Sequence, residues 1–184
     1  MKYFRQIVFL LLATCIAVGS DYVEFTVVER VRFAVPGDWP VIASKSGPDK
    51  TMFAFQIPNS ADKGTADSSN LSITSVYLKD TQDKDTFSSK PVSTEPNAKE
   101  QKFAEGWRCA SFSAKQKSTS TPYVIWDCSR VVADCGVSVR VAWPHLPRNP
   151  ADYDKEMEKI LSDFLASVAP SKSLPEGGVL RRSQ

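Results

Sequence analysis

The side chains here that could do chemistry are three of the four cysteines, a single histidine and a short run of aspartates. Cys109, Cys128 and Cys135 fall close together in the second half of the chain. A zinc site would need paired ligands at short spacing. Cys128 and Cys135 stand alone without a second pair, so no metal is expected. His145 is the whole histidine inventory and sits in Pro144-His145-Leu146-Pro147. A general base needs a positioned nucleophile and an orienting partner, and the sequence marks neither, so His145 reads as an exposed loop residue. Asp80, Asp83 and Asp85 could offer oxygens to calcium, but the glycine and distal glutamate of a calcium loop are missing. Ser60-Ala61-Asp62-Lys63 matches a Ser-x-x-Lys nucleophile pattern without its companion motifs. No Gly-rich phosphate loop is present. The expectation is therefore no catalytic site, no metal and no cofactor.

The remaining chemistry of the cysteines depends on compartment. Lys2 and Arg5 precede an apolar run, Ile7 to Ala17, which is short for a membrane span. Ala17-Val18-Gly19 fits a small-x-small cleavage site, so residues 1–20 read as a signal peptide. A rival reading is the lipoprotein box Leu12-Ala13-Thr14-Cys15, which would anchor the chain to a membrane through Cys15. Thr14 fits such a box poorly and no tether follows it. The leader has a bacterial character, and the expected location is periplasmic or secreted. Loss of Lys2 and Arg5 takes the 23 basic residues to 21, against 21 acidic ones. A neutral chain argues against nucleic acid, whose binding rests on phosphate neutralisation. In an oxidising compartment three cysteines give one disulfide and one spare thiol.

The strands that carry these cysteines set the pairing. Trp107–Lys115, Pro122–Val132 and Val137–Trp143 read as an antiparallel meander. In the third, Val137, Val139, Val141 and Trp143 alternate with polar or small residues. A turn centred between Ser118 and Thr119 sets Cys109 opposite Cys128, Ser111 opposite Trp126 and Phe112 opposite Ile125. Opposed residues lie within disulfide reach. That register favours Cys109–Cys128 and leaves Cys135 as the free thiol; Cys128–Cys135, across the second turn, is the alternative. The second strand is apolar on both faces, so both faces of the sheet need cover there.

Around the meander, Tyr22–Glu29 and Val31–Val35 read as strand, broken at Pro36-Gly37-Asp38-Trp39-Pro40. Thr51–Ile57 and Leu71–Leu78 are further strands. Lys79 to Glu105 is irregular, with helical turns expected near Asp83–Ser89 and Ala98–Ala104. A long helix is expected over Pro150–Val168, with Asn149 as its cap and an apolar stripe of Tyr153, Met157, Ile160, Leu161, Phe164 and Val168. Residues 21–169 thus form one domain, and residues 170–184, rich in Pro, Gly and Ser, a disordered tail.

The order of elements, with Val35-Pro36-Gly37-Asp38-Trp39 after the first strands and Ile57-Pro58 closing the next, resembles the Mog1/PsbP-like group, including small exported DcrB-like proteins. The resemblance spans about Val23 to Val168, and the cysteines are not part of it. It implies an α+β fold: an antiparallel sheet of about six strands under a long C-terminal helix, in an α/β/α sandwich. It also implies a non-enzymatic binding or assembly module and names no single partner. The expectation is an exported accessory protein that binds another protein. The alternatives are an immunity-type inhibitor of a periplasmic toxin and a binder of a small ligand or lipid. Trp39, Phe87 and Phe103 are the candidate partner-binding side chains.

Overall fold

The computed structural model describes residues 22–27, 30–58, 67–147 and 149–171. The expected signal peptide, Cys15, the Ser60–Lys63 motif and most of the tail lie outside the described residues. Among the described residues, ten strands and two helices follow in chain order: β1 (Tyr22–Val27), β2 (Val31–Pro36), β3 (Val41–Ser46), β4 (Lys50–Ile57), β5 (Ser69–Tyr77), α1 (Thr81–Ser89), β6 (Lys99–Gln101), β7 (Arg108–Lys115), β8 (Pro122–Val132), β9 (Cys135–Pro144), α2 (Tyr153–Ser167) and β10 (Ala169–Pro170). The strands form a seven-stranded sheet, β3-β4-β5-β9-β8-β7-β6, and a three-stranded sheet, β1-β2-β10. Every pairing is antiparallel.

Alternation assigns the two faces of the large sheet. Leu71, Ile73, Val137, Val139, Val141, Trp143, Trp126 and Cys128 share one face through direct cross-strand pairing, and all are buried. Helix α2 and the small sheet cover this face. The Trp143 indole donates to Asp154 of α2 at 2.8 Å, and Tyr153 Oη and Ser69 Oγ share a hydrogen bond at 2.9 Å. Phe33 of β2 packs edge-on against Phe164 of α2. The other face carries Asp127 and Arg140, directly paired in register and joined by two bonds of 2.6 and 2.8 Å. Helix α1 lies on this second face, its Phe87 ring over Gly136, where β9 has no side chain. The double cover expected for β8 is thus present.

The meander register is the one read from the sequence. Cys109 pairs with Cys128, Ser111 with Trp126 and Phe112 with Ile125. Cys109 and Cys128 are bridged with Cα atoms 4.1 Å apart, and Cys135 is free and buried.

Four expectations need correction. The sheet of about six strands is instead seven strands plus a separate three. The added strand β3 carries apolar residues only at Val41, Ile42 and Ala43, and all six of its residues are exposed, so no half-buried alternation marks it. The long helix over Pro150–Val168 is a 15-residue helix starting at Tyr153. Pro150 instead closes a turn, its carbonyl accepting from Tyr153 N at 3.0 Å, and Asn149 bonds Pro144 O rather than capping. The helical turn expected near Ala98–Ala104 is edge strand β6, paired with β7. Near Asp83–Ser89 the helix forms, beginning at Thr81. The aspartates that could have offered oxygens to calcium serve it: Asp80 caps it by accepting from Asp83 N, and Asp83 accepts from Lys79 N.

Two outcomes follow. The bridge closes a loop of about 20 residues, so replacing both Cys109 and Cys128 by Ser should lower the unfolding free energy by ~3 kcal/mol. An unmoved urea midpoint would show that the bridge does not form. A Cβ at Gly136 would sit 2.6 Å from Phe87 ring carbons. Gly136→Ala should destabilise by ~1–3 kcal/mol through overpacking, with Phe87→Ala in the same chain recovering part of the loss. A Gly136→Ala protein as stable as the parent would move Phe87 off that site.

Candidate protein-docking edge

The turn after β2 presents Trp39. Trp39 N donates to Pro36 O at 3.1 Å, and Pro40 O accepts from Gln56 N at 3.0 Å. The turn is thereby tied to its own strand and to β4. Trp107, Trp126 and Trp143 are all buried, at 7%, 4% and 0% exposure, whereas Trp39 is only partly so. Its ring lines a groove of about 370 Å³ with Tyr22, Pro36, Ile160 and Phe164. Ile160 belongs to the apolar stripe of α2, yet it is half-buried against the core rather than inside it. The stripe runs off the edge of the small sheet there and forms one wall of the groove.

The large exposed apolar residues gather on the same side. Among the described residues they are Tyr22 (65%), Val23 (44%), Val41 (48%) and Ile42 (52%). All four lie on β1 and β3, the outer strands of their sheets. The two outer strands share one flank because the Phe25 ring of β1 packs on Phe53 and Phe55 of β4, each at 5.3 Å. A clustered apolar edge on a folded domain marks an interaction surface more than scattered single residues do.

The other sequence candidates are engaged inside the chain. Phe87 anchors α1 on Gly136. Phe103 packs on Trp126 at 4.5 Å with the rings tilted by 46°. His145 is 62% exposed at its side chain; Nδ1 lies 3.6 Å from Asp154, which already accepts from Trp143. No group of three or more His, Cys, Asp or Glu suited to a metal occurs among the described residues. A second, polar crevice of about 310 Å³ lies on the far face, where Ser72, Thr74, Ser138 and Val92 surround Asp127 and Arg140. The bond to Asp127 raises the Arg140 pKa further above its ordinary value. The pair is charge-matched within itself.

The sequence reading singled out Trp39 and did not single out Tyr22, Val41, Ile42 or Ile160, which stand beside it. The available signal was Val41-Ile42 directly after Trp39-Pro40: two β-branched residues with no alternating partners cannot both face a core.

No family model matches the chain, and neither does any curated protein. Solved structures similar to it include a protein of Bacteroides thetaiotaomicron VPI-5482, at 15% identity over 82% of this chain and 48% of that one, with a TM-score of 0.47. The chain therefore spans about half of that protein's length. They also include the Ran-binding protein Mog1p of Saccharomyces cerevisiae, at 9% identity over 84% of this chain and 97% of that one, with a TM-score of 0.49. A third is LpqN of Mycobacterium tuberculosis, involved in cell envelope biogenesis, at 10% identity over 77% and 83%, with a TM-score of 0.43.

The Cys135 thiol is fully buried. Burial pushes its pKa up, while the adjacent Ser75 hydroxyl pulls the other way. Only the thiolate alkylates readily, so the Cys135 peptide should stay unlabelled by iodoacetamide at pH 8 in the native protein and label fully once unfolded. Rapid native labelling would show that β9 opens at this position.

Proposed function

We propose that this chain is an exported, non-enzymatic module that binds another protein through the Trp39 groove and the apolar edge beside it. The observation that carries this reading is the gathering of Tyr22, Val23, Val41 and Ile42 on one flank, next to a half-buried tryptophan on an anchored turn. Protein interfaces centre on such aromatic anchors seated beside a pocket. The groove is open, and its titratable side chains are Tyr22 and Asp163; the Asp163 carboxylate is taken up by Lys159. An inhibitor of a periplasmic toxin would be one protein of this kind. A second reading, an acyl or other small apolar ligand, draws support from the groove's volume and its Trp39, Ile160 and Phe164 walls.

Capture from a periplasmic extract on immobilised protein tests the two readings together. A protein partner should be retained, and Trp39→Ala should weaken its binding by roughly thirty-fold, the ~2 kcal/mol typical of a central aromatic anchor, while the variant remains folded with an unchanged far-UV spectrum. Retention of a small molecule with no protein, or capture that ignores Trp39→Ala, would overturn the proposal.

A further inference from the structure

The two lateral edges of the seven-stranded sheet are built differently. One is β6, three residues long and polar throughout, Lys99-Glu100-Gln101. Shortness and charge are how natural sheets keep an edge from pairing with another chain. The opposite edge, β3, has six residues, all exposed, opening on Val41-Ile42 and carrying Lys45 as its sole charge. A register shift between Val41 and Ala43 disturbs the start of the strand, and the remainder runs regularly to Ser46.

We propose that β3 pairs with β3 of a second copy of this chain, antiparallel, about a two-fold axis at Ser44. The backbone sets that axis. Gly47 N donates to Lys50 O at 2.8 Å, so Gly47 faces β4. Backbone groups of an antiparallel strand alternate sides, so Lys45 and Ala43 also face β4, and Ser44 and Ser46 turn N–H and C=O outward. Outward groups pair with outward groups. An axis at Lys45 would set two ammonium groups directly opposite each other, which is destabilising. An axis at Ala43 would put the irregular Ile42 into both central outward pairs, each with Ser44, and leave no regular pair at the centre. The axis at Ser44 pairs that residue with its own copy through two hydrogen bonds, sets Lys45 against Ala43, and lays Ile42 against Ser46. It also keeps the two lysines apart. Residues 21–184 carry equal numbers of acidic and basic side chains, so two copies meet without net repulsion. Six residues span only about 20 Å, which places the contact at the small end of protein interfaces and its association at roughly micromolar or weaker concentrations.

Ser44→Cys tests the axis. Its two copies would lie about 5.5 Å apart at Cα, within disulfide span. Under mild oxidation of the purified protein, Ser44→Cys should give mostly a covalent dimer on a non-reducing gel, at least tenfold more than Lys45→Cys. In sedimentation equilibrium at ~100 µM the parent should show mass above that of the monomer. Ser44→Pro, which removes an outward N–H and leaves the β4 ladder intact, should be monomeric with an unchanged melt. Monomer throughout with no preference for Ser44→Cys would overturn the proposal, as would equal cross-linking at Lys45→Cys or a dimer that survives Ser44→Pro. Monomer in which β3 amides are nonetheless protected from exchange would overturn it too, and would assign the strand to another segment. Trp39→Ala should leave the dimer unchanged, so failure here is separable from failure of the docking reading.

Discussion

The register of the β7–β8–β9 ladder is the constraint on which the rest of this structure depends. Side chains alternate faces along a strand, so a slip of one residue would turn every inward side chain outward. In the observed register Cys109, Cys128, Trp126, Val139 and Val141 all point to one face, and Asp127 and Arg140 to the other. The bridge between Cys109 and Cys128 holds two directly opposed residues together and excludes the slipped pairing. The two faces then have opposite needs. The first must be kept dry, and α2 and the small sheet do so. The second satisfies its buried carboxylate, Asp127, with the Arg140 guanidinium, and it can stay partly wet. A carboxylate sealed on the dry face without such a partner would carry a large desolvation cost.

The groove beside Trp39 follows from how that dry face is covered. A 15-residue helix is about 22 Å long. Seven strands at about 4.8 Å spacing span about 29 Å between the outer two. Helix α2 alone cannot roof the sheet, so β1 and β2 leave it and complete the cover as a second layer. Phe25 and Phe33 seal this layer onto Phe53 and Phe55. Two roofs of different shape leave a seam. The groove lined by Pro36 and Trp39 on one side and Ile160 and Phe164 on the other is that seam. The groove is thus a by-product of core geometry rather than a separate elaboration.

What was legible in the sequence divides along the same line. The meander, its register and the disulfide could be read because Val137, Val139, Val141 and Trp143 alternate and because turn length fixes which cysteines oppose. Phe164 and Leu161 marked α2 through spacing, while its true start did not show, because Pro150 suits a helix's first position and a turn equally well. Strand β3 left no pattern: a strand exposed on all six residues has no buried face to impose alternation. Strand β6 was hidden for a related reason, since Lys99-Glu100-Gln101 has helix-forming composition and becomes strand only by pairing with β7. The candidate site inherits this blindness. Trp39 stood out as a large residue at a turn, but the groove around it joins residues from β1, β2 and α2 that only tertiary packing brings together.

Rigidity decides what such a flank can do. The Trp39 turn is bonded at both ends, to Pro36 O and through Pro40 O to Gln56 N, so its backbone is fixed before any partner arrives. The far ends of the sheet are similarly held. Asp134 follows Ala133 in a hairpin turn where both residues have positive φ, 62° and 45°. Its carboxylate reaches Lys84 of α1 at 2.5 Å and Arg30 of the β1–β2 connection at 3.9 Å. One side chain thereby links the layers on both faces of the sheet. Lys84 holds the Asp134 pKa below the usual carboxylate range, so this link weakens as pH falls through that depressed value and is fully present above the ordinary one. Non-glycine residues at positive φ persist where surrounding structure over-determines them, and here two cations and the Leu78 N bond to Asp134 O do so. A domain braced in this way presents its apolar flank without first ordering it. A partner seated there would not cost the conformational entropy that a mobile loop loses on ordering.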